Sequence, residues 1–371
     1  MRILVLSKRQ YTNRDLINDR FGRLWELPMA LASSGDNITG VCLSYRRRDE
    51  GSHVDAQGGG RVTWHKLNIH RLLPWGARNY WRTIDEIGRD VRPDVVWACS
   101  DSLHAVLAVN IAKRLGSPLV IDLYDNFESF TLTRLPGMTT AFRRSLSQAD
   151  GITCVSHPLA EYLRDRSLCR CPIEVIENAV PEGLFYPMDK SSCRRELNLP
   201  ADGFLIGMAG AISRSRGVNF LFRAFEQFSM ERPDAHLVLA GVRDKGLSLH
   251  QHPRIHYLGI LAPKVVPVFL SALDMTVICN RASAFGNYCF PQKFYEAIAC
   301  GVPMIAARTR VMRDVLKDYP GNMFDPENTD SLLVALRRQA ARPVKLQIQV
   351  QTWPARARQL KKFFERVSGA R

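Results

Sequence analysis

Short apolar segments alternate with helix-like segments along almost the whole chain of 371 residues, and the alternation restarts once. "RILVLS", "ITGVCLS" and "PLVIDLY" have the composition of buried strands, and stretches such as "SLHAVLAVNIAKRLG" follow with helical periodicity. This order is typical of parallel sheets with helices on both faces, because each parallel crossover needs a connection long enough for a helix. The chain is therefore predicted to be a doubly wound α/β protein.

The alternation predicts two domains. A stretch rich in turn residues, "NAVPEGLFYPMDKSSCRRELNLPADG", separates the two runs, and the length exceeds one ordinary hydrophobic core. We expect one domain over residues 1–185, a second over 186–350 and a basic amphipathic helix over 351–371 that packs back toward the first domain. Ligands of doubly wound sheets lie at the carboxyl ends of the strands, so we expect the site in a cleft between the domains.

Composition favours a soluble cytoplasmic protein. Hydrophobic residues make up 46% and charged residues 23% of the chain, and no run of 18 apolar residues predicts a membrane-spanning helix. The apolar run at the N-terminus is too short for a signal peptide and is predicted to be a strand. The nine cysteines form no CxxC pair, which argues against a disulfide framework or a zinc site, and no metal ligand is predicted.

The formal net charge is +15, and the last 35 residues contain ten Lys or Arg against one acid. Such a bias favours an anionic partner. The final helix either packs on the body with a solvated basic face or lies on an anionic membrane surface, which would place the protein at the cytoplasmic face of the inner membrane. No nucleic-acid partner is expected, because no binding-module signature is present and the tail's aromatic residues share its apolar face.

The segment "PQKFYEAIACG" predicts a helix with a lysine in its first turn. Pro291 suits the start of this helix, and Lys293 faces the positive end of the helix dipole, a position that costs about 0.3–1 kcal/mol without a nearby anion. A phosphate at the helix N-terminus would offset that cost, and Glu296 could accept hydroxyl groups of a sugar or ribose. The alternative is an exposed i,i+3 Lys–Glu pair. The preceding loop adds three candidate donor-binding residues, Gly286, Asn287 and Tyr288.

A second basic turn lies in "GMAGAISRSRGVNFLF", between a predicted strand and a predicted helix. Arg214 and Arg216 there could clamp a diphosphate, and the alternative is a solvated basic turn. The segment is neither a Walker A loop nor a GxGxxG dinucleotide fingerprint.

In their order and spacing, "IEVIENAVPEGLFYP", "GMAGAISRSRGVNFLFRAF", "IHYLG" and "PQKFYEAIACGVPMIAA" resemble the GT-B glycosyltransferases of family 4. The resemblance implies two Rossmann-like doubly wound domains that face each other across a cleft. It also implies that a turn beginning at Gly210 holds the donor diphosphate through Arg214 and Arg216, that Glu296 holds the ribose, and that the base lies near Gly259. Tyr288 stands where the family's first motif glutamate usually contacts the transferred sugar.

The N-terminal stretch "LVIDLYDNFESF" contains the candidate catalytic residues Asp125 and Glu128. Either carboxylate could orient or deprotonate an acceptor hydroxyl, and the alternative is a capping box that starts at Asp125. "NDRFGRLWELP" resembles the family's first loop, so Gly22 and Arg23 are expected to face the acceptor and the donor phosphates. His104 is interpreted as a residue of a helix start, with a catalytic base as the alternative.

These observations predict a glycosyltransferase. It would move a hexose-type sugar from a nucleotide diphosphate sugar to a carbohydrate or lipid-linked acceptor in cell-envelope or exopolysaccharide synthesis. The resemblance implies retention of the anomeric configuration and no required metal or other cofactor. A nucleotide-sugar epimerase of the same architecture is the alternative.

Overall fold

The computed structural model describes residues 1–11, 14–69, 75–244, 246–247 and 252–369. It divides into two compact units: unit 1 comprises Met1–Glu177 and Thr352–Arg371, and unit 2 comprises Asn178–Gln351. Residues 178–185, assigned from sequence to the first domain, thus belong to unit 2. The reason lies in their hydrogen bonds: the Val180 amide donates to the Gln351 carbonyl at 3.1 Å, and the Asn178 side chain donates to the Phe290 carbonyl at 2.9 Å.

Unit 1 contains ten strands and six helices in its described part. The strands are β1 (Arg2–Lys8), β2 (Gln10–Tyr11), β3 (Arg14–Asp15), β4 (Asn37–Ser44), β5 (Gly51–Gln57), β6 (Gly60–Asn68), β7 (Val95–Ala98), β8 (Leu119–Leu123), β9 (Gly151–Cys154) and β10 (Ile173–Val175). The helices are α1 (Arg23–Ser33), α2 (Trp75–Val91), α3 (Ser102–Leu115), α4 (Met138–Ser147), α5 (His157–Asp165) and α12 (Trp353–Gly369).

Eight of these strands form one sheet in the order β10-β9-β8-β7-β1-β4-β6-β5. Every pair in it is parallel except β5 with β6. The central strands β1, β4, β7, β8 and β9 are largely buried, as sandwiching between helices requires, and Ile3 to Leu6 of β1 are at most 1% exposed. The strand order reverses at β1, which has β4 on one side and β7 on the other, so the carboxyl ends of β1 and β7 form a topological switch point.

Helix α12 completes the core of unit 1. Trp353, Phe363 and Phe364 are buried, and the Phe364 ring meets the Trp97 ring edge-on at 5.6 Å. Gly151 lies under this helix so closely that a Cβ there would be 2.8 Å from the Phe363 ring. Three of the five cations on the opposite face pair with acids of unit 1, which leaves Arg358 and Lys362 exposed. The pairs are Arg356 with Glu177, Lys361 with Asp36 and Arg366 with Glu174.

Unit 2 repeats the design with a smaller, fully parallel sheet in the order β13-β12-β11-β14-β15-β16. Its strands are β11 (Phe204–Ala209), β12 (Ala235–Ala240), β13 (Ile255–Tyr257), β14 (Met275–Ile278), β15 (Met304–Ala307) and β16 (Met323–Phe324). Its helices are α6 (Lys190–Glu196), α7 (Val218–Glu231), α8 (Val266–Ser271), α9 (Gln292–Ala299), α10 (Arg310–Val315) and α11 (Thr329–Ala341). The order reverses between β11 and β14, which gives this sheet its own switch point.

The prediction of two doubly wound α/β units is confirmed by these two sheets. In the part of the chain that the structure describes, every helix is too short or too polar to cross a lipid bilayer.

Candidate active site

Helix α9 carries the lysine and the glutamate singled out in the sequence. Pro291 is the N-cap of this helix, which therefore begins at Gln292, one residue later than predicted. The proline side chain cannot accept a hydrogen bond from the first-turn N–H groups. Lys293 lies in the first turn, and its Nζ is 2.6 Å from Oε2 of Glu296. The i,i+3 pair foreseen as the alternative therefore forms, but not on an exposed face: the Glu296 side chain is 3% exposed and that of Lys293 is 30% exposed.

The loop before α9 is held in place by short polar contacts. The Gly286 amide donates to Oγ of Ser283 at 3.0 Å, and a Cβ at Gly286 would lie 2.1 Å from the Arg281 carbonyl oxygen, so only glycine fits there. Oδ1 of Asn287 accepts the Arg310 amide at 3.2 Å. Tyr288 is 9% exposed, with the Arg310 guanidinium 5.8 Å from its ring centre. The loop is thus tied to the segment that follows β15.

The basic turn after β11 reaches the same place. Residues 214–216 form a 3₁₀ turn that Gly217 ends with a φ of 80°. The Arg216 guanidinium donates to Oδ1 of Asn280 at 3.2 Å and lies 4.2 Å from the centre of the Phe285 ring. Arg214 is exposed. Because Asn280 follows β14 and Arg216 follows β11, this contact lies at the switch point of unit 2, where doubly wound sheets bind ligands.

Three glycines bring the backbone close together at this edge. Gly210 and Gly241 have φ values of 126° and 131°, and a Cβ at Gly241 would lie 1.9 Å from the Gly210 carbonyl oxygen. The Gly241 amide donates to the Gly259 carbonyl at 2.7 Å, and the Tyr257 hydroxyl donates to the Gly241 carbonyl at 2.8 Å. The sequence analysis did not single out Gly241. Its position directly after β12 matches that of Gly210 directly after β11, and this correspondence could have identified it.

All the predicted donor-binding residues therefore lie at or beside the carboxyl edge of one sheet. Among the described residues of this edge the cations outnumber the acids: Glu296, Glu327 and Asp325 are each paired with a neighbouring cation, and the exposed Asp244 directly follows Arg243. The additional cations are Arg214, Arg216, Arg243 and Arg310. A surplus of positive charge beside a helix N-terminus suits a polyanion such as a diphosphate.

In unit 1, the structure corrects the expectation for Arg23. Its guanidinium is fully buried and pairs with both carboxylate oxygens of Asp122, at 2.7 and 3.1 Å. It also donates to the Ile176 carbonyl at 2.5 Å. A guanidinium used in this way ties α1 to β8 and is not presented to a phosphate. Gly22, the other residue expected on the acceptor side, is the N-cap of α1 with a φ of 77°.

Glu128 is also engaged within unit 1. Its carboxylate accepts two hydrogen bonds from Arg143, at 2.8 and 3.1 Å, and one from the Tyr162 hydroxyl at 2.7 Å. Partial burial alone would raise the pKa of Glu128, but these hydrogen bonds outweigh burial and leave the pKa below its ordinary value. A carboxylate held in this way is a poor base for an acceptor hydroxyl.

Asp125 lies at the carboxyl end of β8 and is 6% exposed. The capping box named as the alternative does not form, because Asn126 rather than Asp125 caps the 3₁₀ turn Phe127–Ser129 and accepts the Glu128 amide at 3.2 Å. Burial lowers the pKa of the Lys8 ammonium group, and the nearby negative charges of Asp101 and Asp125 oppose that shift. Asp125 thus belongs to a charged cluster at the switch point of unit 1.

The centre of this cluster is Asp101, which sequence reasoning missed. Its carboxylate caps α3 by accepting the His104 amide at 3.2 Å, and it also contacts His104 Nδ1 at 2.8 Å and accepts the Tyr45 hydroxyl at 2.9 Å. Burial would raise the pKa of Asp101, but His104 and Lys8 outweigh burial and hold it well below its usual range. His104 is therefore a residue of a helix start, as interpreted from sequence. The neighbouring Ser100 has a φ of 96°, the kind of strain that concentrates at functional sites.

Comparison with known proteins agrees with this geometry. The model of Glycosyltransferase Family 4 matches residues 23–183, and the model of Glycosyl transferases group 1 matches residues 189–347. The chain is 22% identical over 222 residues to the N-acetyl-alpha-D-glucosaminyl L-malate synthase of Bacillus anthracis, covering 58% of this chain and 56% of that protein. It is 24% identical over 257 residues to a GDP-mannose-dependent monoacylated alpha-(1-6)-phosphatidylinositol monomannoside mannosyltransferase of Corynebacterium glutamicum, covering 67% of each. The chain spans about half the length of the first curated relatives it matches.

Solved structures extend the comparison over the whole chain. Sucrose-phosphate synthase from Thermosynechococcus elongatus superposes with a TM-score of 0.80 at 18% identity, covering 100% of this chain and 99% of that one. Anabaena HepE in complex with UDP gives 0.69 at 17% identity, covering 100% and 98%. Identities this low support the fold alone. Since the two family models together match most of the chain, the protein belongs to the family 4, group 1 glycosyltransferases and has their two-domain α/β GT-B fold.

Proposed function

We propose that this protein transfers a hexose-type sugar from a nucleotide diphosphate sugar to a hydroxyl group of a carbohydrate or lipid-linked acceptor, in the synthesis of cell-envelope or exopolysaccharide material. The observation that carries the proposal is the Lys293–Glu296 pair at the start of α9, together with the arginine turn at the same sheet edge. The names of two similar proteins support it: one structure is a complex with UDP, and one relative is a mannosyltransferase that acts on a lipid-linked sugar.

The donor diphosphate would lie between the N-terminus of α9 and the turn at 214–216. There the Lys293 ammonium would move from Glu296 to a phosphate oxygen, and the Glu296 carboxylate would then accept hydroxyl groups of the ribose. Arg214 and Arg216 would add positive charge where the leaving diphosphate becomes more negative. Fixed cations of this kind stabilise a transition state because they require no reorganisation as charge develops.

The acceptor hydroxyl would be oriented at the switch point of unit 1. We assign this role to Asp125, because it belongs to the charged cluster around Lys8 and Asp101. Glu128 is not included, since Arg143 and Tyr162 already occupy its carboxylate.

We further propose that the sugar is transferred with retention of its anomeric configuration and without a metal ion or other cofactor, as the family resemblance implies. On this view the charge that a divalent cation would neutralise is met by Arg214, Arg216 and Lys293. Turnover should therefore survive a chelator such as EDTA, and proton NMR of the product should show the donor's anomeric configuration.

The test begins with nucleotide binding. UDP, GDP and ADP are titrated without metal, and the unfolding temperature is followed, because a ligand that binds only the folded state raises it. One nucleotide should stabilise wild-type protein and the Lys317→Ala control, in which an exposed lysine elsewhere in unit 2 is removed, and at the same concentration it should stabilise the Lys293→Ala variant much less. Flat traces for all three nucleotides would refute the proposal, and conversion of the donor sugar without an acceptor would favour the epimerase.

A further inference from the structure

Two arginines follow β15 at the edge proposed to bind the donor. Arg308 and Arg310 are both exposed and only two residues apart. Nε of Arg308 lies 3.2 Å from Oδ1 of Asp325, so its charge is balanced. Arg310 has no carboxylate partner among the residues that the structure describes, and its guanidinium lies near the Tyr288 ring. Of the two, only Arg310 has a charge available to a ligand.

The backbone of Arg310 is fixed relative to the loop before α9. Its amide donates to Oδ1 of Asn287 at 3.2 Å, and the preceding Thr309 is buried and caps α10. Residues 286–288 lead directly into the helix proposed to bind the diphosphate. Because the transferred sugar is bonded to that diphosphate, the sugar would lie beside this loop and within reach of the long Arg310 side chain.

The loop itself supplies no charge to the sugar. Asn287 is a neutral amide, and Tyr288 is an uncharged, largely buried side chain. The diphosphate already has three cations of its own in the proposed function, Arg214, Arg216 and Lys293. The charge of Arg310 is therefore additional to what a neutral nucleotide sugar needs.

We propose that the donor sugar carries a carboxylate and that Arg310 is the residue that recognises it. This inference rests on the proposed function and specifies its substrate class. A guanidinium is planar and presents parallel N–H groups that match the two oxygens of a carboxylate. A hydroxymethyl group has one uncharged oxygen and cannot form this paired contact. The class is that of nucleotide uronates, in which C6 of the hexose is a carboxylate.

UDP-glucuronate and UDP-glucose form a suitable pair of probes, since they differ only at C6. If the nucleotide titration selects GDP, then GDP-mannuronate and GDP-mannose replace them. Dissociation constants are measured by calorimetry for the free nucleotide and both sugars with the wild type, the Arg310→Gln variant and the matched Arg308→Gln control. A charge-assisted hydrogen bond should make the wild type bind the uronate about tenfold to a hundredfold more tightly than the neutral sugar.

Arg310→Gln should abolish this preference and leave the affinity for the free nucleotide unchanged, whereas Arg308→Gln should keep both. Equal or weaker binding of the uronate by wild-type protein would overturn the inference. An Arg310→Gln variant that binds the free nucleotide and both nucleotide sugars more weakly to the same degree would also overturn it, because Arg310 would then be a phosphate ligand. If no free nucleotide binds at all, the proposed function itself fails, whereas nucleotide binding without a preference for the uronate refutes only this inference.

Discussion

Replacing Lys293 by alanine tests both the stability and the chemistry of the pair on α9. The variant leaves a carboxylate, 3% exposed, without its cation. Removing one partner of a fully buried pair costs about 3–5 kcal/mol, but Lys293 is 30% exposed and water can partly replace it, so we expect a loss of about 1–3 kcal/mol. In a unit of this size that corresponds to a fall of about 3 to 10 °C in unfolding temperature.

A double-mutant cycle with Glu296→Gln separates the pair from its surroundings. A neutral amide needs no counter-charge, so adding Glu296→Gln to the Lys293→Ala variant should recover most of the loss in calorimetric unfolding. The Lys317→Ala control should stay within about 0.5 kcal/mol of wild type, as exposed substitutions usually do. Wild-type stability of the Lys293→Ala variant, or a further loss when Glu296→Gln is added, would refute the coupling. Nucleotide affinity, measured on the same proteins, should fall about tenfold to a hundredfold with Lys293→Ala.

Three further predictions concern unit 1. Arg23→Met should cost about 3–5 kcal/mol in urea unfolding, because it leaves buried Asp122 uncompensated, and Arg23→Met combined with Asp122→Asn should cost less than Arg23→Met alone. Asp125→Asn should lower kcat about a hundredfold or more in a transfer assay while Glu128→Gln stays within a few-fold, and the reverse order would exclude Asp125 as the orienting residue. Burial raises the pKa of Glu26 to about 7 from an ordinary 4.5, so the folded state binds the extra proton and stability should fall as pH rises from about 4.5 to 7. Glu26→Gln should flatten that slope in urea midpoints taken across the range, and an unchanged slope would contradict the assignment.

The donor edge could be predicted from sequence because its residues directly follow or precede regular elements. The carboxyl ends of parallel strands share one edge, so residues after β11 and β14 had to meet once the strands were recognised. Lys293 and Glu296 are one helical turn apart, which fixes their separation without knowledge of the rest of the fold.

The errors in unit 1 arise from contacts distant in sequence. Arg23 was expected to face the acceptor and the donor phosphates, but its partner Asp122 lies 99 positions away in the sequence, on strand β8. Glu128 was named as a candidate catalytic carboxylate, and its partners Arg143 and Tyr162 come from later helices. Side chains on different crossovers meet through packing, which local periodicity does not encode. Asp101 was missed for a related reason: its importance depends on which strands are neighbours in the sheet.

The return of α12 to unit 1 sets an order for folding during synthesis. Unit 1 is made from two separate stretches of chain, and all of unit 2 is translated between them. All of unit 2 therefore emerges from the ribosome before Phe363 and Phe364 can cover the surface at Gly151 and Trp97. During that interval the nascent first unit exposes an apolar face that a chaperone could bind. Its core closes only after Thr352 and the helix that follows have left the exit tunnel.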